Sequence, residues 1–238
     1  METDDNFSST PPDRNRVAAR ALVLAAVSCR GMIEKDAEKP GADKFRESVI
    51  GWLDTVGAAN ELEPAEYTLL STPLGKLDPR AKINAGWQSE GMLVLAWALV
   101  CAESPALFQE CDAIDIAHRM GFLDDRRKSV LDNPQLRDSA IIEQWGDTYL
   151  TLHWRLRQFS STPEPIDFVT YVSECTGGPL RLDGLEIIDR DLAVDGVRID
   201  KLEYPRFRQA LSITQERHQA FNWLLGLEPV YSRVTTDT

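Results

Sequence analysis

Apolar side chains return at helical spacing along most of this chain. From Arg14, the residues Val17, Ala21, Leu24, Ala25, Cys29 and Met32 fall on one helical face, which predicts a first helix to about Arg30. Gly41 breaks the pattern. A second helix follows, with Phe45, Val49, Trp52, Leu53 and Val56 on one side and a stop near Gly57. Glu63-Pro64 and Asp78-Pro79 each open a helix, because proline has no N–H to waste at the first helical position. The longer of the two carries Ile83, Trp87, Glu90, Val94, Trp97 and Cys101, and its stripe predicts Trp87 and Trp97 as core residues. Pro105 is expected to end that region. A short helix spans Ile114 to Met120 and closes at Gly121. The cluster Arg126-Arg127-Lys128 reads as a solvated turn. Asn133-Pro134 is expected to start a long helix through Ile141, Trp145, Leu152 and Leu156, and Pro163 and Pro165 separate it from one around Phe168 to Cys175.

Beyond Gly177-Gly178-Pro179, which reads as a turn, the period shortens. Leu180 to Leu182 and Leu185 to Ile188 predict short strands. Leu192 to Ile199, centred on Asp195-Gly196, predicts a hairpin with a type I′ turn. The acidic residues there, Asp189, Asp191 and Asp195, lack calcium-loop spacing and read as solvated turn residues. A last helix is expected from about Ile213 to Leu225, opened by Ser212 and Gln215 as a capping box and ended by Gly226. The fold class is therefore mainly α: an irregular multi-helix bundle with a small β-hairpin insertion at about residues 180–199. Residues 1–13, acidic and containing Pro11-Pro12, read as a disordered arm. Residues 14–238 read as one helical domain.

Composition narrows function more than fold. The 238 residues are enough to bury a core without metal or disulfide. A net charge of −12 argues against nucleic acid and against an anionic membrane, both of which attract Lys and Arg. The apolar run from Gly91 to Ala102 is too short to span a bilayer, and no basic-then-apolar leader opens the sequence. Cys29, Cys101, Cys111 and Cys175 are widely spaced, which predicts free thiols in a reducing cytoplasm and no structural zinc. No cofactor is implied.

An ordered series of motifs runs through these segments. It comprises Trp87-Gln88-Ser89-Glu90 leading into Leu95-Ala96-Trp97-Ala98-Leu99, then Pro105, Cys111-Asp112 and His153-Trp154-Arg155-Leu156-Arg157, and finally Glu216-Arg217-His218, Asn222-Trp223 and Thr236-Asp237-Thr238. In these the chain resembles the bacterial domain-of-unknown-function family numbered 4272, from about Arg14 to the end. The resemblance implies a mostly helical fold of this length. It brings no reaction and no catalytic roles.

The candidate chemistry gathers on helix faces. His153 and Arg157 are spaced i,i+4, as are His218 and Asn222, and Glu90 shares a stripe with two tryptophans. A carboxylate on such a stripe needs a cation or a proton, and Arg157 and Arg217 are candidate partners. Trp87, Glu90, His153, Arg157, Arg217, His218 and Asn222 thus form either a buried structural network or the lining of a ligand pocket. No nucleophile or metal centre is identifiable. The sequence reads first as a non-enzymatic binding, interaction or regulatory protein, immunity-like in character, that acts on another protein. The alternative is a small-ligand sensor or enzyme centred on the Trp/His/Arg/Glu set. Residues 236–238 read as a tail that docks on the core.

Overall fold

The computed structural model describes residues 10–103, 106–124, 129–175 and 180–237. Pro105, the cluster at 126–128, the turn at 177–179 and residues 1–9 of the expected arm lie outside the described residues. The chain divides into two compact units, residues 13–137 and residues 138–237, the latter grouped with residues 10–12. No helix of the described residues is long and apolar enough to cross a membrane.

The first unit is built around α1 (Arg14–Ile33), which starts where the Asp13 carboxylate accepts from the amides of Asn15 and Arg16. Every residue from Val17 to Val27 is buried, so α1 is enclosed on all sides rather than on one face. Around it stand α2 (Ala42–Thr55), α3 (Pro64–Ser71), α4 (Pro79–Ala98) and α5 (Ala113–Arg119). Pro64 and Pro79 sit in the first turns of α3 and α4 as expected, and Glu63 and Glu66 complete a capping box. α1 and α4 approach closely at Gly31, where a Cβ would lie 3.0 Å from the Gly86 nitrogen and 3.1 Å from the Lys82 oxygen.

Buried arginines hold this unit together. Arg20 donates to the Glu61 carbonyl at 2.9 Å and pairs with Glu66. Arg46 and Arg30 take the last carbonyls around α3: Arg46 those of Leu70 and Ser71, Arg30 those of Thr72 and Pro73. Cations at a helix C-terminus satisfy carbonyls that have no intrahelical donor and oppose the negative end of the dipole. Arg137 does the same for α4. Its Nε donates to the Trp97 carbonyl at 2.7 Å, and its guanidinium lies 5.0 Å from the Trp97 ring centre. α4 ends at Ala98, with Val100 at φ +62°. Trp97 is buried as expected. Trp87 is only half-buried and Ile83 is 59% exposed, because the N-terminal half of α4 carries one face to solvent.

The second unit pairs α6 (Ser139–Ser161) with α8 (Tyr204–Leu224). They run antiparallel: Gly146 meets Leu225, Tyr149 meets Phe221, His153 meets His218 and Phe159 meets Phe207. Between them in sequence come α7 (Phe168–Glu174) and the strands β1 (Ile187–Ile188), β2 (Asp191–Val194) and β3 (Val197–Arg198), paired antiparallel in the order β1-β2-β3. Val194 pairs with Val197 across Asp195-Gly196, both at positive φ, which is the expected turn. A second two-residue turn, Asp189-Arg190, also at positive φ, joins β1 to β2.

Besides Trp87, four sequence expectations are corrected. Leu180 to Leu182 is not a strand. α6 begins at Ser139 with Asp138 as its cap, not at Asn133-Pro134: the Arg137 amide is bonded to the Ala98 carbonyl, which an earlier helix start would have prevented. α8 begins at Tyr204, with Pro205 in its first turn, so Ser212 and Gln215 are interior residues rather than a cap. Asp191 is no solvated turn residue: it is fully buried against Arg155.

Candidate functional site

On α6 and α8, residues spaced by one turn bring the expected polar set face to face. Tyr149 and His153 lie i,i+4 on α6, opposite Arg217, His218 and Phe221. Arg217 is fully buried and donates to the Tyr149 hydroxyl at 3.0 Å, while the Tyr149 ring stacks on Phe221 with centroids 5.1 Å apart. One turn along, His153 Nδ1 and His218 Nδ1 are 3.0 Å apart, and both rings are 1% exposed. One Nδ1–H therefore donates to the lone pair of the other, which requires at least one neutral ring. Burial pushes both well below the usual imidazole range, His153 to about 3 and His218 to about 4. The His218 and Arg157 charges add to the effect at His153, and Arg157 adds to it at His218. Both rings are neutral at physiological pH. His153 Nε2 is buried with no hydrogen-bond partner among the described residues.

Beside this pair lies a cavity of about 380 Å³, lined by His153, Arg157, Ser160 and Ser161 of α6, Leu211 and Gln215 of α8, and Thr236 and Asp237. Arg157 is its cation, with 44% of its side chain exposed. The segment after α8 returns along that helix. Trp223 Nε1 donates to the Pro229 carbonyl at 3.4 Å, Gln219 to that of Tyr231 at 3.0 Å and Asn222 to that of Thr235 at 2.9 Å. Arg157 then donates to the Thr236 carbonyl at 3.0 Å and stands 3.7 Å from Asp237. The Gln219-to-Trp223 stretch thus holds residues 229–235; of the tail expected to dock, residues 236 and 237 meet Arg157, and Thr238 lies outside the described residues.

Trp87 and Glu90 fall in the first unit, on α4. Glu90 is 1% exposed and its Oε1 accepts the Cys111 amide at 2.9 Å, while the Cys111 thiol donates to the Ser89 carbonyl at 3.3 Å. Both α4 residues line a smaller cavity of about 250 Å³ with Ile83, Gly86, Ser89, Glu110 and Cys111. The structure therefore brings together His153, Arg157, Arg217, His218 and Asn222, and puts Trp87 and Glu90 in a separate unit. Among the described residues no three His, Cys, Asp or Glu side chains are grouped to hold a metal ion.

Sequence reasoning missed Arg155. It is fully buried and binds Asp191 through two N–H···O bonds of 2.7 and 2.6 Å, with a further bond to the Glu164 carbonyl. Asp191 also accepts the Ile166 and Leu192 amides. The available signal was a carboxylate opening an otherwise apolar four-residue strand, which demands a buried cation.

No curated protein and no solved structure matches the chain. A family model described as Domain of unknown function (DUF4272) matches residues 4–169, more than half of the chain. The matched stretch includes Trp87, Glu90, His153 and Arg157, while Arg217, His218, Asn222 and the tail lie beyond it. On that match, which takes in the whole first unit and all of α6, the chain belongs to the DUF4272 family.

Proposed function

We propose that this is a non-enzymatic binding protein with a regulatory role, and that the cavity between α6 and α8 holds a small polar ligand. The cavity itself carries this reading. It has the size of small-ligand sites and a mostly polar lining: one cation, two serines and a glutamine around a neutral histidine, with Leu211 and, from the tail, Thr236 and the Asp237 carboxylate. The His153–His218 pair supports binding over catalysis, since rings held far below neutral pH make poor general bases. A bacterial, cytoplasmic setting belongs to the same proposal. Its cytoplasmic part is supported by four free cysteines, of which Cys29 is pushed up to about 11 by burial and so stays a protonated thiol. A second reading, immunity-like docking of a basic protein partner, is favoured by the net charge of −12, which steers association with cationic surfaces.

Thermal melts across a metabolite panel test the first reading. A compound should raise the melting temperature of the wild type, lose that effect in Arg157→Gln, and be recovered chemically unchanged. Turnover of the compound, or a shift that survives in Arg157→Gln, contradicts it.

A further inference from the structure

Residues 229–237 are held unevenly along their length. Through Thr235 the hold is firm: Tyr231 and Val234 are buried, and Gln219 and Asn222 take the Tyr231 and Thr235 carbonyls. Beyond Thr235 the described contacts reduce to Arg157, by one hydrogen bond from the guanidinium to the Thr236 carbonyl and one ion pair to Asp237 at 3.7 Å. The Asp237 side chain is 86% exposed, so that pair is screened and weak. A guanidinium offers five N–H donors in a fork shaped for carboxylate or phosphate. The tail thus presents Arg157 with a carbonyl and a distant carboxylate where a bidentate anion would bind better. Thr236 and Asp237 also line the cavity, so they occupy its rim.

Resting on the reading of this cavity as a ligand site, we infer that its ligand is a small carboxylate- or phosphate-bearing anion, and that residues 236–237 are a strap that competes with it for Arg157. The anion takes the guanidinium in two-point contact, with the Ser160 and Ser161 hydroxyls and the Gln215 amide as further donors lining the same space. The strap swings away about Thr235, whose carbonyl stays bound to Asn222. Binding of ligand and release of the strap are therefore one event. The segment beyond Thr235 reports occupancy to the surface.

Isothermal titration calorimetry of the full chain at low salt, with inorganic phosphate and with succinate, tests this and separates the two anion types. The chains compared are wild type, Asp237→Asn, a deletion of residues 236–238, and Arg157→Gln. Arg157 is half-exposed, so its variant keeps the fold. Asp237→Asn and the deletion should bind one of the anions roughly two- to fivefold more tightly than wild type, the factor that loss of an exposed ion pair implies. Arg157→Gln should lose binding. Backbone 15N relaxation at residues 236 and 237 should report greater motion in wild type when the anion saturates it. Binding that depends on Arg157 but is no tighter in the two tail variants, with that motion unchanged, overturns the strap and leaves the cavity reading intact. Absence of binding of both anions to every chain overturns the anion inference, and a neutral metabolite that needs Arg157 would then keep the cavity reading alone.

Discussion

Two neutral imidazoles hydrogen-bonded inside a helix pair make stability depend on pH in a defined direction. In the unfolded chain both rings take up protons as pH falls through about 6.5. In the folded chain burial holds His153 to about 3 and His218 to about 4. Between these limits the unfolded state binds more protons, so stability rises with pH there and falls on acidification. The folded state is fully competitive above about pH 6.5 and loses ground progressively down to about pH 3. At roughly 1.4 kcal/mol per pKa unit, the two rings together should cost a few kcal/mol between about pH 6.5 and pH 5. Urea titrations at pH 7 and pH 5 check this. The wild type should lose stability on going to pH 5, and His153→Phe/His218→Phe should lose less. Equal losses in both proteins would show that the pair is not the source. The same residues explain why the sequence left their role open: i,i+4 spacing puts His153 with Arg157 and His218 with Asn222, but it cannot say that the histidines face each other.

Element boundaries were legible where one local rule acted and were misread where tertiary bonds competed. Proline in the first turn located α3 and α4, and Pro205 marks the start of α8 in the same way. Asn133-Pro134 carries that signal too, yet the Arg137 amide is committed to the end of α4, so the helix waits for Asp138. One-face periodicity understated α1, because alanine and valine on the other faces are small enough to be enclosed as well. The site was half-legible. Its residues on α6 and α8 were named, but no periodicity shows that Glu90 belongs to another unit or that Arg155, two residues from Arg157, is the buried arginine. The Arg155–Asp191 pair ties α6 to β2. Arg155→Ala leaves a buried carboxylate with two amide donors and no cation, and should cost about 3–5 kcal/mol. Arg155→Met/Asp191→Leu should recover much of that loss, since an apolar pair of similar volume avoids the desolvation of both charges. A denaturant midpoint for Arg155→Ala equal to that of wild type would mean the pair is solvated in solution.

At the scale of the whole molecule, buried arginines in each unit find partners within that unit. In the first, Arg20 finds Glu61 and Glu66, Arg30 finds Glu34 and the carbonyls of Thr72 and Pro73, and Arg46 finds Asp43 and the carbonyls of Leu70 and Ser71. In the second, Arg155 finds Asp191, Arg217 finds Tyr149 and His153 finds His218. Each also has its own enclosed apolar centre: α1 in the first, and Leu152, Leu156, Phe221 and Ala220 in the second. Stripping a buried ion of its partner is strongly destabilising, and the bonds just named each stay within one fragment. Residues 13–137 and residues 138–238, the latter without the residues 10–12 grouped with it, should when expressed separately each show helical circular dichroism and a cooperative thermal transition. The first fragment carries Trp52, Trp87 and Trp97, the second Trp145, Trp154 and Trp223, so near-ultraviolet circular dichroism reports packing in both. A fragment that keeps its far-ultraviolet signal but loses the near-ultraviolet one, and binds a hydrophobic dye, would be a molten state. That result would show that its core needs the rest of the chain, and the two units would then be parts of one folding domain.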